Sequence, residues 1–137
     1  MHKHVLIATD GSDYALKAAE YGLGVAKAAG AKVSVVMVTP PWADLALSEI
    51  ADRMSTYAKS CLAKVEAAAR DRGLACETIH VAAAKPYQAI IDTAGARGCD
   101  LIVVGAHGRR GLAGLVLGSE TVKVLTHSKI PILVYRG

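Results

Sequence analysis

Val5-Leu6-Ile7-Ala8-Thr9-Asp10-Gly11-Ser12 is the stretch on which the fold turns. A continuous apolar and β-branched run stops abruptly at Asp-Gly-Ser, as a strand covered on both faces does when it enters a turn. Ser12 then suits a helix cap. Through Ala29 the apolar positions Ala15, Ala18, Ala19, Gly22, Leu23 and Ala26 recur at helical spacing, and Gly30 stands where a left-handed C-terminal residue belongs. A stripe of such small side chains predicts a helix lying close on a sheet.

The same alternation continues downstream. Lys32 to Thr39 reads as a second strand, closed by Pro40 and Pro41, and a long helix follows from about Asp44 to Arg72. Its expected buried face is Leu47, Ile50, Met54, Tyr57, Cys61, Val65 and Ala68, with Gly73 as the stop. Ala75 to Ala82 is a third strand, and Pro86 suits the first position of a helix running to about Arg97. Asp100 to Val104, a glycine-studded loop, a helix from Ser119 to His127 and a last strand from Ile130 to Tyr135 complete the chain. Strands alternating with helices at this spacing predict one α/β domain over residues 1–137, with a parallel sheet and helices on both faces.

Pro131 lacks an amide proton and fits an edge strand. Ile130, Ile132, Leu133 and Val134 carry no charge to blunt that edge, so a homodimer pairing through residues 130–135 is expected.

Composition narrows the function classes. The 137 residues are 53% hydrophobic and 20% charged, with no Phe and one Trp, which excludes charge-driven disorder and makes the core aliphatic. No apolar run is long enough for a membrane span, and the start of the chain is no secretory signal. Cys61, Cys76 and Cys99 are odd in number and form no Cys-x-x-Cys pair, so a reducing cytoplasm is the expected setting. The net charge of +4 comes from 16 dispersed basic residues, with no run beyond Arg109-Arg110. That is not a nucleic-acid footprint.

The chemistry is carried by Gly105-Ala106-His107-Gly108, then nine residues, then Gly118-Ser119, opening after one strand and closing at a helix start. Glycines at 105, 108, 111, 114 and 118 free the backbone for positive φ and let its amides face a ligand. Gly118-Ser119-Glu120-Thr121 adds free amides and two hydroxyls at a helix N-terminus, so a phosphate-binding loop is the natural reading. The alternative is a surface connection with Ser119 as a cap only. This is no Walker A loop, because Leu117 and Gly118 rather than Gly-Lys precede Ser119. Nor is there a dinucleotide fingerprint, since Gly22 and Gly24 sit within a helix.

Asp10 is the second candidate. Ligands of open parallel sheets bind beyond the carboxyl ends of strands where the winding reverses. If the first and fourth strands are neighbours there, Asp10 faces the glycine loop and can accept from a ribose hydroxyl or hold a metal on the phosphates. Its plainer role is to turn the chain and help Ser12 cap the first helix. His107 has no neighbouring carboxylate in sequence to orient it as a base, His2-x-His4 is a weak metal candidate, and Arg109 and Arg110 read mainly as solvated. No nucleophile turn or Cys/His constellation is present, so no catalytic residue is expected.

These residues, the Ala8-Thr9-Asp10-Gly11-Ser12 strand exit, Gly-x-x-Gly followed by nine residues and Gly-Ser, and the closing Ile130-Pro131-Ile132-Leu133-Val134, resemble the nucleotide-binding branch of the universal stress protein family over essentially the whole chain. The resemblance implies a Rossmann-like, adenine-nucleotide-hydrolase-like sheet of order 3-2-1-4-5, usually in a dimer. It implies ATP, with Mg²⁺ or Mn²⁺ at Asp10 and little or no turnover. By position, Ala8, Thr9 and Asp10 line the adenosine and the backbone of Val38 reads the adenine, with Val36 or Met37 in its place after a one-residue slip. Gly105 lies against the ribose, and Gly108, Gly118, Ser119 and Thr121 hold the phosphates. His107 and Arg109 stand within reach of them, as does the amide of Glu120. The Glu120 carboxylate is unfavourable beside a triphosphate unless it points away or meets a metal. The alternatives are a nucleotide-free interaction module and a slow ATPase.

Overall fold

The computed structural model describes residues 1–41, 48–107 and 116–137. Five parallel strands, β1 (His4–Ala8), β2 (Lys32–Thr39), β3 (Cys76–Ala82), β4 (Leu101–Gly105) and β5 (Ile132–Tyr135), form one sheet in the order β3-β2-β1-β4-β5. The connecting helices are α1 (Asp13–Ala29), α2 (Ser48–Asp71), α3 (Pro86–Ala96) and α4 (Ser119–His127). The winding reverses between β1 and β4, as the resemblance implied.

Alternation along each strand divides the core into two layers. Val5 and Ile7 of β1, Val33, Val35 and Met37 of β2, and Leu101 and Val103 of β4 pack against α1 and α2. Leu6, Val36, Ile102 and Val104 point the other way, onto Ile90 and Ala94 of α3 and Val124 of α4. The close approach of α1 has a specific cause. A Cβ at Gly22 would stand 3.1 Å from Val103 Cγ1 and 3.2 Å from Ile7 Cγ1, so the helix backbone rides directly on the central strands. Ser12 caps α1 by accepting from Ala15 N at 3.1 Å, and Gly30 closes it at φ 68°.

Several expectations need correction. The buried face of α2 keeps Cys61 and Val65 of the expected stripe, with Ala68 packed against it, and adds Ala58, Leu62 and Ala69. Ile50 and Tyr57 of that stripe are exposed instead, Tyr57 with its hydroxyl beside the turn at Gly11; Leu47 and residues 44–46 lie outside the described residues. β5 begins at Ile132 rather than Ile130. Pro131 gives only its carbonyl to the ladder, accepting from Ile102 N at 3.0 Å, while Ile130 is tied to the Ser128 hydroxyl. β5 is an edge, as Pro131 indicated. β1 ends at Ala8, although Thr9 N still donates to Val36 O at 3.0 Å. β4 starts after Asp100, whose carboxylate instead accepts from Lys3 N at 2.8 Å and His4 N at 3.3 Å.

Candidate functional site

A cavity of about 580 Å³ opens at the carboxyl ends of β1, β2 and β4, at the point where the strand order reverses. Its lining is mainly apolar: Ala8, Ala15, Val36, Val38, Ile90, Val104 and Val124, with Pro86 at the start of α3 and Val116 and Leu117 before α4. The polar rim is Thr9, Asp10, His107, Ser119, Glu120 and Thr121, with Gly105 and Gly118 between them. An apolar slot with a few polar groups on one side suits a flat aromatic group joined to a charged one.

Of the residues singled out from the sequence, Ala8, Thr9, Asp10, Val38, Gly105, His107, Gly118, Ser119, Glu120 and Thr121 line this one cavity. Gly108, Arg109 and Arg110 lie outside the described residues. Val36 and Val38 share the cavity face, whereas Met37 points into the opposite layer. The sequence reading missed Val104, Ile90, Val124 and Pro86. Period-two alternation places Val104 and Val36 on one face of the sheet. The helix residues become visible only once α3 and α4 are docked.

Asp10 is placed by a local turn: its Oδ1 accepts from Ser12 N at 2.9 Å, and Thr9 Oγ1 accepts from Gly11 N at 3.2 Å. Gly11 has φ 86°, and a Cβ there would stand 2.5 Å from Cys61 Sγ and 2.8 Å from Tyr57 Oη. This turn therefore demands glycine both for its left-handed backbone and because α2 presses on it from behind.

The two described glycines of the loop act differently from expectation. Neither has a positive φ: Gly118 lies at φ −60° and ψ 150°. Gly105 is needed for contact, since a Cβ would meet the Tyr14 ring at 3.1 Å. That ring is held by its hydroxyl, which donates to Tyr135 O at 2.8 Å, and it packs tilted against His107 with centroids 5.4 Å apart. His107 thus has an aromatic neighbour at the crevice. The loop is closed at its base by Gly118 N donating to Ala106 O at 2.7 Å and Ala106 N donating to Tyr135 O at 2.8 Å.

α4 begins at Ser119 without a side-chain cap, and its first intrahelical bond on the Gly118 carbonyl comes from Val122 N. The amides of Ser119, Glu120 and Thr121 precede that bond, at the positive end of the helix dipole and on the cavity rim. Thr121 is buried, and its hydroxyl donates to Gly105 O at 2.8 Å; it ties α4 to β4. Glu120 turns its carboxylate toward α3 and Lys123.

Among the described residues no three His, Cys, Asp or Glu side chains group to hold a metal. His2 instead pairs with Asp100, and His4 Nε2 lies 2.8 Å from Ser34 Oγ. Burial, with a further push from Asp10 against the opposing Lys64, raises the Cys61 thiol. Burial and nearby acids push Cys76 and Cys99 up to about 11, so these thiols are protonated at neutral pH. No helix among the described residues is long and apolar enough to cross a membrane.

The fold and cavity define a doubly wound α/β protein with a ligand-sized crevice at its switch point. A family profile described as the universal stress protein family matches residues 1–136, and the chain belongs to that family. A universal stress protein of Thermus aquaticus is 32% identical over 137 residues, covering 99% of this chain and 100% of that protein. Two solved structures are close in shape. The universal stress protein UspA from Lactobacillus plantarum superposes with a TM-score of 0.85 at 25% identity, covering 98% of this chain and 97% of that one. A universal stress protein in complex with cAMP gives 0.81 at 26% identity over the same shares.

Proposed function

We propose that this protein binds an adenine nucleotide, ATP, in the switch-point crevice and works as a dimeric regulatory binder rather than a fast catalyst. The observation that carries this reading is the pairing of an apolar slot with the open start of α4 in one cavity of about 580 Å³. Val36, Val38, Val104 and Ala8 offer a slot for the base, Asp10 an acceptor for ribose hydroxyls, and the Ser119 to Thr121 amides a seat for phosphate. The related structure holding cAMP supports the adenine class of ligand.

Where Asp10 faces the phosphates instead of the ribose, it is the carboxylate fitted to a Mg²⁺ or Mn²⁺ carried by the nucleotide. Such ions are commonly held by one or two carboxylates together with phosphates and water. The dimer would form through the edge of β5, where Ile132 to Tyr135 are only half-buried, beside Val122 and Leu125, which α4 leaves exposed.

Calorimetry with Mg-ATP on the wild type and on Ser119→Pro tests the reading. Proline suits the first helical position, and Gly118 already has the extended backbone that a following proline requires. The helix should persist while one amide and one hydroxyl are lost. Affinity should fall about tenfold or more, the scale of a charge-assisted hydrogen bond. Equal affinity in the two proteins would remove α4 from the site, and no binding by the wild type would leave a nucleotide-free interaction module.

A further inference from the structure

The rim of the crevice carries an acidic side chain held by two partners. Glu120 Oε1 accepts from Tyr87 N at 3.0 Å, and its Oε2 lies 3.2 Å from Lys123 Nζ. Tyr87 is the second residue of α3, a helix whose N-cap, Lys85, supplies no side-chain bond. Glu120, from the first turn of α4, therefore caps α3. Tyr87 is itself held by the His127 ring, with centroids 5.0 Å apart, and by Lys123 Nζ 5.7 Å from its own ring centroid. For the carboxylate to swing away, the Tyr87 amide would have to give up its partner and the Lys123 pair would have to break.

That anchored charge shares the cavity lining with Ser119, and a second acid, Asp10, lines the same rim. Lys123, the cation that offsets Glu120, sits outside the lining. We infer that Glu120 is a specificity residue: it sets the crevice against highly charged, metal-free polyphosphates and in favour of metal-complexed or less charged adenine nucleotides. The inference rests on the nucleotide reading above and deepens it by assigning the ligand's charge state. The physical basis is repulsion between a fixed carboxylate and a polyanion at a partly dehydrated rim, which is stronger there than in bulk water.

The readout is the ratio of affinities for metal-free ATP and for adenosine, measured by calorimetry on wild type and on Glu120→Gln. A glutamine carbonyl still accepts from Tyr87 N, so the α3 cap is kept. The ratio should shift about tenfold toward ATP in Glu120→Gln at low salt. The shift should shrink when Mg²⁺ is added, and again as salt rises and the screening length falls to about 3 Å near 1 M. Lys123→Met, which removes the offsetting cation, should shift the ratio away from ATP, and it carries the test alone if Glu120→Gln does not fold. A ratio unmoved by either substitution, with adenosine still bound, overturns the charge selection and leaves nucleotide binding standing. A wild type that binds neither ligand overturns both.

Discussion

The two ends of the sheet are built on opposite plans. At the amino ends of the strands, polar side chains satisfy one another. Asp100 accepts from the Lys3 and His4 amides, His4 meets Ser34, and Ser34 donates to Glu77 Oε1 at 3.3 Å, while Arg97 at the end of α3 pairs with Glu77. Ser34 is buried within this chain. At the carboxyl ends the strands stop at an apolar cavity, with a helix start and a carboxylate on its rim. One end joins β1, β2 and β3 through side chains along a groove of about 670 Å³ that His4, Ser34 and Glu77 line; the other holds the mainly apolar crevice of about 580 Å³. The side-chain links of the amino end and the proposed binding crevice thus lie at opposite ends of the same strands, so substitutions at the two ends should separate in their effects.

The largest effect is expected at the carboxyl end, in the turn that follows β1. Gly11→Ala forces a side chain onto a φ of 86° and into the Cys61 sulfur; it should cost about 2–3 kcal/mol in urea unfolding and weaken nucleotide binding through Asp10. Normal stability in that variant would mean that α2 does not press on the turn. Ser34→Ala should cost about 1–2 kcal/mol, because a buried link is lost and its partners are left short, while ATP affinity stays within error. A drop in affinity would break the division between the ends.

Asp100 gives the same division a pH signature. The hydrogen bond from the Lys3 amide, then that from His4 and the nearby His2, hold its carboxyl below the ordinary aspartate value. A depressed pKa means that the ionised form favours the fold. Its contribution is complete above the unfolded-chain value near 4 and fades as pH falls through the lower folded value. Melting curves of wild type and Asp100→Asn should therefore differ at neutral pH and converge in acid; curves that stay parallel would refute the staple. Smallest of all, Arg97→Ala at the half-exposed Glu77 pair should change stability by no more than about 0.5 kcal/mol.

Much of this was legible beforehand because it depends on local chemistry. Ser12 capping α1, Gly30 closing it, Pro86 opening α3 and Pro131 marking an edge follow from backbone geometry that neighbours in sequence impose. Cys61 and Val65 of α2 are buried as their spacing indicates, whereas Ile50 and Tyr57 are exposed, because periodicity does not show which turns of a long helix are covered. The two described loop glycines, Gly105 and Gly118, depart from expectation for a similar reason, neither having a positive φ. Gly105 is required by a Tyr14 ring distant in sequence, not by its own φ.

Strand and helix alternation, the aliphatic core and the position of the glycine loop were thus written in the order of residues, since hydrophobic period and turn chemistry act over a few positions. The orientation of Glu120 onto the start of α3, the diversion of the Thr121 hydroxyl to Gly105 and the joining of Ile90, Val104 and Val124 into one cavity wall came with docking. Each depends on contacts between elements far apart in the chain, and packing alone sets which of a side chain's possible partners lies within hydrogen-bonding reach.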